Sequence, residues 1–293
     1  MRYVVTGGAG FIGSHLADEL IRDGHEVTIL DNLTSGKEDN INPAATFVHG
    51  SITDLPHLEE VFDGADGVFH QAAIASIPLS IRMPVFINEV NLTGTLNVLS
   101  AAQMNGVKKV VFASSASVYG NNPAPNRECQ PDIPRSPYAV SKVAGEHYMN
   151  LFTDLYGMDT VSLRYFNVYG SRQQSGVIPE FIRQITNRKP ITIHGSGDQT
   201  RDFVYVKDVV RANIRAMEQE AQGVFNVGTG EPTSIFELAN MITDITKIPV
   251  PCLASPTRSG DIHESYADIS LSRGTLKYEP KYTLRQGLEE MLL

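Results

Sequence analysis

Closely spaced glycines near the beginning of the chain constrain its fold more than any other feature. Gly7, Gly10 and Gly13 fit the pattern G-x-x-G-x-x-G. The apolar run Tyr3–Thr6 precedes them and is typical of a buried strand, and Phe11–Arg22 follows with apolar residues at helical spacing. At such a turn a pyrophosphate can approach the backbone and meet the free N–H groups of the helix. The turn therefore predicts dinucleotide binding, and an ordinary strand-to-helix connection is the alternative.

An acidic residue stands at the position where a dinucleotide site needs one. The predicted strand Glu26–Leu30 is followed by Asp31. Its carboxylate can accept hydrogen bonds from the adenosine ribose, and its charge would repel a 2′-phosphate. This favours NAD over NADP as the cofactor. Asp31 and Asn32 also begin a loop, so a simple turn aspartate is the alternative.

Short apolar runs alternate with helical patterns through the first half of the chain. Further strands and two longer helices are predicted at Thr46–His49, Gly67–His70, Leu92–Gln103, Val107–Ser114, Pro137–Tyr156 and Thr160–Tyr165. This alternation predicts an α/β fold with a Rossmann-type doubly wound parallel sheet. Recurrent prolines after residue 167 predict a smaller, mixed α/β C-terminal lobe. We expect an NAD-binding domain over 1–166, with return segments near 200–228, and a lobe for the substrate mainly over 167–293.

The charge and the cysteine content exclude several classes of function. The net charge of -9 would repel the phosphates of nucleic acid, so we expect no nucleic-acid partner. No apolar run has membrane-spanning length and no secretory leader is recognisable, so we expect a cytoplasmic protein without a membrane partner. Cys129 and Cys252 lack C-x-x-C spacing, and the histidines lack H-x-H or H-E-x-x-H spacing. Neither a disulfide framework nor a metal site is expected.

A tyrosine and a lysine share one face of the helix predicted after Pro137. Tyr138 and Lys142 are four residues apart, which places both side chains on the same side of a helix. Because a cation beside a phenol favours the phenolate, we expect a lowered pKa for Tyr138 and a role as general base. Pairs of this kind are also common on solvated helix faces, so the spacing alone does not establish catalysis.

Serines follow the predicted strand Val107–Ser114. Ser114, Ser115 and Ser117 would lie near its carboxyl end, where open α/β sheets bind their ligands. A hydroxyl there can hydrogen-bond a sugar hydroxyl and stabilise the oxygen as it becomes a carbonyl. Ser114 and Ser117 could equally satisfy polar groups of the loop.

Taken with these motifs, essentially the whole chain resembles the extended short-chain dehydrogenase/reductase family, and within it the UDP-glucose 4-epimerase group. The resemblance rests on the glycine turn, on the serine, tyrosine and lysine just described, and on residues 69–73, 91–95, 163–170, 201–208 and 258–261. It implies that Tyr138 is the base, that Ser115 assists it, and that Lys142 also hydrogen-bonds the nicotinamide ribose.

The resemblance also implies two sets of binding residues. The NAD contacts would be Gly7, Gly10, Phe11, Ile12, Gly13, Asp31, Asn32, Ser51, Ile52, Gln71, Ala72, Ala73, Asn91, Ser114, Tyr138, Lys142 and Tyr165. The contacts with a UDP-sugar would be Ser115, Ser117, Tyr138, Asn167, Arg201, Arg258 and Ser265. Either arginine could instead form a surface salt bridge. Ser51 replaces the aspartate typical of the group, which implies weaker contact with adenine.

The implied reaction is reversible oxidation at C4 of a UDP-hexose. Tyr138 would take the O4 proton while NAD takes the C4 hydrogen, and the 4-keto sugar would turn over before the hydrogen returns to its other face. Related dehydratases carry an Asp-Glu pair, and decarboxylases a glutamate, where this chain has Ala116 and Ser117. Uronate 4-epimerases differ at the positions of Asn167 and Gln174. We therefore expect a neutral sugar.

The position that limits sugar size in this group falls on Ser265, seven residues after Arg258. A small residue there implies that UDP-N-acetylglucosamine and UDP-N-acetylgalactosamine are accepted beside UDP-glucose and UDP-galactose. A shift by one residue to Tyr266 would reverse this expectation. Alternatives are another NDP-sugar reductase, dehydratase or uronate epimerase, or a non-catalytic dinucleotide sensor. The resemblance further implies a homodimer formed through helices near 92–103 and 138–156.

Overall fold

A seven-stranded parallel sheet forms the centre of the chain, which the computed structural model describes over residues 1–256 and 262–292. Its strands are β1 Arg2–Thr6, β2 Glu26–Asp31, β3 Thr46–His49, β4 Gly67–His70, β5 Lys109–Ser115, β6 Asp159–Tyr165 and β10 Gly223–Val227. Their order is β10-β6-β5-β4-β1-β2-β3. The chain adds β2 and β3 on one side of β1, and then adds β4, β5, β6 and β10 on the other side. This arrangement confirms the predicted Rossmann-type α/β class.

Helices cover both faces of this sheet. They are α1 Phe11–Arg22, α2 Leu55–Val61, α3 Ile77–Arg82, α4 Pro84–Asn88, α5 Gly94–Met104, α6 Pro137–Tyr156 and α8 Val206–Glu218. Helices α1 and α8 pack on one face, and α2, α5 and α6 pack on the other. Successive residues of one strand therefore enter different cores, as Val4 and Val5 of β1 do. This explains the continuous apolar strands in the sequence.

Local signals determine where the longest helix begins and ends. Ser136 caps α6 by accepting a hydrogen bond from the Ala139 N–H at 3.1 Å, and Pro137 occupies the first turn. Gly157, with φ 67°, ends the helix in the left-handed conformation that glycine adopts at little cost. The helix predicted at Leu92–Gln103 differs at its beginning, because a π-helical segment over Glu89–Thr93 leads into α5.

The C-terminal part of the chain builds a smaller lobe of mixed sheets and helices. Its strands are β7 Asn167–Tyr169, β8 Ile191–His194, β9 Thr200–Tyr205, β11 Pro232–Ser234, β12 Cys252–Ser255 and β13 Glu264–Ser265. Its helices are α7 Val177–Thr186, α9 Ile235–Thr246, α10 Ser270–Leu276 and α11 Leu284–Leu292. Strand β9 pairs with β7, β11 and β13, of which only β11 is antiparallel to it. The segment between β9 and β11 supplies α8 and β10 to the main sheet.

No helix in the described ranges is long and apolar enough to cross a membrane. The parallel strands of the main sheet all point their carboxyl ends toward the same edge. This edge therefore carries the glycine turn after β1, Asp31 at the end of β2, and Ser115 at the end of β5.

Candidate active site

The glycine turn lies against the end of β4 so closely that side chains would not fit. A Cβ on Gly7 would lie 2.7 Å from the Ala72 nitrogen, and a Cβ on Gly13 would lie 2.3 Å from the Gly7 carbonyl oxygen. Gly10 is the N-cap of α1, and no side chain caps this helix. The first-turn N–H groups of α1 have no partner within the helix and so can bind an anion. The turn thus fits the pyrophosphate of NAD.

The Asp31 carboxylate is hydrogen-bonded to the glycine turn and can still accept further hydrogen bonds from a ligand. One carboxylate oxygen accepts a hydrogen bond from the Ala9 N–H at 3.0 Å, and the other accepts from the Leu33 N–H at 2.8 Å. An ionised carboxylate offers about four lone-pair sites, so ribose hydroxyls can still bind. Asn32 is exposed and accepts from the Thr34 N–H at 3.1 Å.

The residues expected near adenine are mainly engaged with the protein. Ile52 is only 5% exposed and packs against Gly94, where a Cβ would lie 2.6 Å from its Cδ1. The Ser51 hydroxyl is 2.8 Å from the Thr53 hydroxyl, to which it is hydrogen-bonded. The buried Asn91 amide bonds both polar backbone atoms of Ile74, so it fixes the loop after β4. Little of the Ile52 side chain therefore faces outward.

Gln71 and Tyr165 form a hydrogen-bonded group with a residue that sequence reasoning missed. The Tyr165 hydroxyl lies 3.1 Å from Gln71 Oε1 and 2.9 Å from Asn213 Oδ1, and the Gln71 amide donates to Asn213 Oδ1 at 3.0 Å. Burial raises the pKa of Tyr165, so it stays a neutral phenol. The group ties β4 and β6 to α8. Ala72 and Ala73 follow directly and are half-buried.

Ser115, Tyr138 and Lys142 come together at the carboxyl end of β5. The side chains of Ser115 and Tyr138 are hydrogen-bonded to each other. Lys142 Nζ lies 5.8 Å from the centre of the Tyr138 ring, 4.7 Å from that of Phe112, and donates to the Ala113 carbonyl at 2.8 Å. The predicted helix face thus turns toward the carboxyl end of β5, with Lys142 buried and Tyr138 half-buried.

The pKa of Tyr138 is raised in this structure, so the expectation of a lowered value is wrong. Burial raises the pKa of the phenol, and the hydrogen bond with Ser115 opposes this only in part. Burial also lowers the pKa of Lys142 to about 7, against the opposing charge of Glu146. At neutral pH Lys142 is therefore only partly charged, and its amine is bonded to the Ala113 carbonyl. Such a lysine stabilises a phenolate less than the fully charged lysine expected from the sequence spacing.

A buried ion pair lies behind these residues and was not predicted. Glu146 on α6 accepts hydrogen bonds from Arg164 Nε at 2.9 Å, from Arg164 Nη2 at 2.6 Å, and from the Ser114 hydroxyl. Arg164 Nη2 also donates to Asp132 at 2.8 Å, and its guanidinium lies 4.7 Å from the centre of the Tyr119 ring. Ser114 is therefore engaged inside the protein. Two sequence signals existed: Glu146 is four residues after Lys142, and Arg164 interrupts an apolar strand.

The lobe brings three of the predicted substrate residues onto one small sheet. Asn167 begins β7, Arg201 lies on β9, and Ser265 on β13 is the direct register partner of Arg201. Ser115 at the end of β5 pairs with Tyr165 at the end of β6, and Asn167 comes two residues after Tyr165. Asn167 therefore lies close in sequence to the strand end that pairs with Ser115. The Ser117 hydroxyl is buried and has no hydrogen-bond partner within the described part of the chain. Arg258 lies outside the described residues.

Comparisons with known proteins agree with this geometry. Residues 3–228 match the model of the family described as NAD dependent epimerase/dehydratase. A putative UDP-glucose 4-epimerase of Methanocaldococcus jannaschii is 41% identical over 297 residues, covering 99% of this chain and 96% of the relative. The structure of a Thermotoga maritima UDP-glucose 4-epimerase with UDP-glucose matches with TM-score 0.97 and 40% identity, covering 100% of this chain and 97% of that one. That of a UDP-N-acetylglucosamine 4-epimerase from Methanobrevibacter ruminantium, in complex with UDP-N-acetylmuramic acid, matches with TM-score 0.96 and 41% identity, covering 99% and 96%.

Proposed function

The chain belongs to the NAD dependent epimerase/dehydratase family, and we propose that it interconverts UDP-glucose and UDP-galactose at C4. It is an enzyme of the UDP-sugar 4-epimerase type with NAD as its cofactor. The observation that carries the proposal is the contact of Ser115 with Tyr138 at the carboxyl end of β5, beside Lys142. This is the edge at which open α/β sheets bind their ligands.

Each residue of this set has a distinct task in the proposed reaction. NAD, held at the glycine turn and Asp31, would supply reversible hydride transfer at C4. In its ionised form, Tyr138 takes the proton from O4 and later gives it back, and a hydrogen bond from Ser115 stabilises this phenolate against the effect of burial. Lys142, whose pKa lies at about 7, holds the positive charge nearest to the phenol ring.

The residues after Ser115 support epimerisation over elimination. Ala116 and Ser117 form the 3-10 turn that continues β5, and neither supplies a carboxylate for proton transfer at C5. Loss of water from the sugar ring needs such an acid or base in addition to the oxidation at C4. Without it, the 4-keto sugar can only be reduced again.

We extend the proposal to N-acetylhexosamines because of the small residue at position 265. Ser265 is the last residue of β13, and Tyr266 follows it outside the strand. The Tyr266 carbonyl accepts a hydrogen bond from the Asn126 N–H at 2.8 Å, which ties this position to the loop after β5. The register places Ser265 beside Arg201, and we propose that the small Ser265 side chain leaves room for an acetamido group there.

Separate incubations with UDP-glucose, UDP-N-acetylglucosamine and UDP-glucuronate test these assignments. We expect the C4 epimers of the first two and no product from the third, analysed by NMR of the sugar ring. Turnover of UDP-glucuronate alone would overturn the assignment to neutral sugars. Failure of UDP-N-acetylglucosamine alone would overturn only the role of Ser265. A dehydrated or decarboxylated product would overturn epimerisation itself.

Exposed apolar side chains support a homodimer. Val140, Leu151, Leu155 and Tyr156 are exposed on α6, and Met104 is exposed at the end of the neighbouring α5. Apolar groups grouped on two adjacent helices are typical of a surface that a partner covers. Light scattering of the purified chain should give twice the chain mass, and a monomer at micromolar concentration would contradict the proposal.

A further inference from the structure

A buried carboxylate lies one helical turn beyond Lys142 and has no role in the reaction proposed above. Both Lys142 and Glu146 are only 3% exposed. Together with Tyr138 they occupy consecutive turns of one face of α6. Because burial of a carboxylate is costly unless the carboxylate is paired, Glu146 needs a partner within the protein.

The carboxylate of Glu146 is paired with the buried Arg164. Arg164 binds it through two N–H groups, the bidentate geometry in which arginine holds a carboxylate most firmly. The charges of Lys142 and Arg164 balance those of Glu146 and Asp132. Loss of the charge on Glu146 would therefore leave an excess positive charge in the protein interior.

The same face of α6 holds three consecutive residues at the end of β5. Tyr138 contacts the Ser115 hydroxyl, Lys142 donates to the Ala113 carbonyl at 2.8 Å, and Glu146 accepts from the Ser114 hydroxyl. The contact made by Glu146 therefore lies next to Ser115, the serine that is hydrogen-bonded to Tyr138. A shift of Ser114 would move Ser115 by a similar amount, since the two share a peptide bond.

We propose that Glu146 is a positioning residue, which fixes Ser115 through Ser114 and presents its carboxylate to Lys142 from one helical turn away. The other groups that face Lys142 are the Tyr138 phenol on α6 and, across the Phe112 ring, the neutral His70 on β4. Neither supplies a negative charge while the phenol is protonated. Glu146 is thus the carboxylate that opposes the effect of burial on the pKa of Lys142.

The variants Glu146→Gln and Ser114→Ala separate these two contributions, and the exposed Asp154 on α6 supplies a matched control. In Glu146→Gln we expect kcat to fall about 10-fold or more at unchanged KM, and the alkaline limb of kcat to move about one pH unit lower. Ser114→Ala should lower kcat without moving that limb. Glu146→Asp should restore the position of the limb, and Asp154→Asn should change neither quantity.

The kcat measurements rest on the proposed function, because they require turnover of a UDP-sugar. A second measurement, the titration of Lys142, does not require turnover. In protein labelled with 13C-lysine, the resonance missing from Lys142→Arg reports the titration of Lys142. Its midpoint should lie about one pH unit lower in Glu146→Gln than in the wild type. An unchanged midpoint, or wild-type kcat in both Glu146→Gln and Ser114→Ala, would overturn the inference. Absence of turnover in the wild type with a shifted midpoint would overturn the proposed function alone.

Discussion

His70 should make the protein less stable in mild acid, and the size of the effect follows from its contacts. The imidazole is buried between the Thr6 hydroxyl at 2.8 Å from Nδ1 and the Thr95 hydroxyl at 2.9 Å from Nε2. Thr95 donates its own hydrogen to the Asn91 carbonyl at 2.6 Å, so it must accept from Nε2–H. Nδ1 then accepts from Thr6, and the ring is neutral with both nitrogens satisfied.

Burial, together with the positive charge of Lys142, lowers the pKa of His70 to about 3 from an ordinary value of 6.5. Below pH 6.5 the unfolded chain therefore binds a proton that the folded chain does not, and stability is lost as the pH falls. One pKa unit corresponds to about 1.4 kcal/mol, so between pH 7 and pH 5 this group alone should cost about 2 kcal/mol.

The assay compares urea unfolding at the two pH values for the wild type and for His70→Gln, whose amide can replace both hydrogen bonds but does not titrate. Other groups contribute equally to both proteins, so the wild type should lose about 2 kcal/mol more than the variant between pH 7 and pH 5. The exposed His147 on α6 provides the control, and His147→Gln should behave like the wild type. An identical pH dependence in the wild type and His70→Gln would refute the reasoning.

Three further predictions concern the cofactor, the sugar and the assembly. Gly13→Ala, whose Cβ would lie 2.3 Å from the Gly7 carbonyl, should displace the turn and lower the NAD retained on purification by about 10-fold or more, measured by absorbance; a full complement of NAD would contradict this. Ser265→Tyr should abolish turnover of UDP-N-acetylglucosamine while that of UDP-glucose stays within about 3-fold, and parallel loss of both would argue against a role in size selection. Leu155→Glu, on the exposed side of α6, should give a folded monomer by light scattering, and an intact dimer would exclude this face.

Much of the fold could be predicted because its signals are local. The turn at Gly7, Gly10 and Gly13, the apolar strands, and the cap and stop of α6 at Ser136 and Gly157 each depend on a few neighbouring residues. Such features follow from backbone conformation and periodicity alone. The same locality placed Tyr138 and Lys142 on one helix face, and the structure directs that face toward β5.

The electrostatics of the site could not be predicted in this way. The pKa of Tyr138 depends on burial, and the direction of its shift follows from how deeply α6 packs on the sheet rather than from the spacing to Lys142. Glu146 and Arg164 are 18 residues apart, and they meet only because α6 packs against β6 in the folded protein. A charged residue within an apolar strand signals a buried partner but does not identify it.

The most direct test of the central claim follows the hydrogen at C4. UDP-glucose deuterated at C4, incubated with the wild type in ordinary water, should give UDP-galactose that keeps the deuterium at C4, because the hydrogen leaves and returns within one closed site. Tyr138→Phe should slow this conversion by about 100-fold or more, since proton transfer by a positioned side chain contributes that much. Exchange of the deuterium for solvent hydrogen, or wild-type turnover by Tyr138→Phe, would contradict the account.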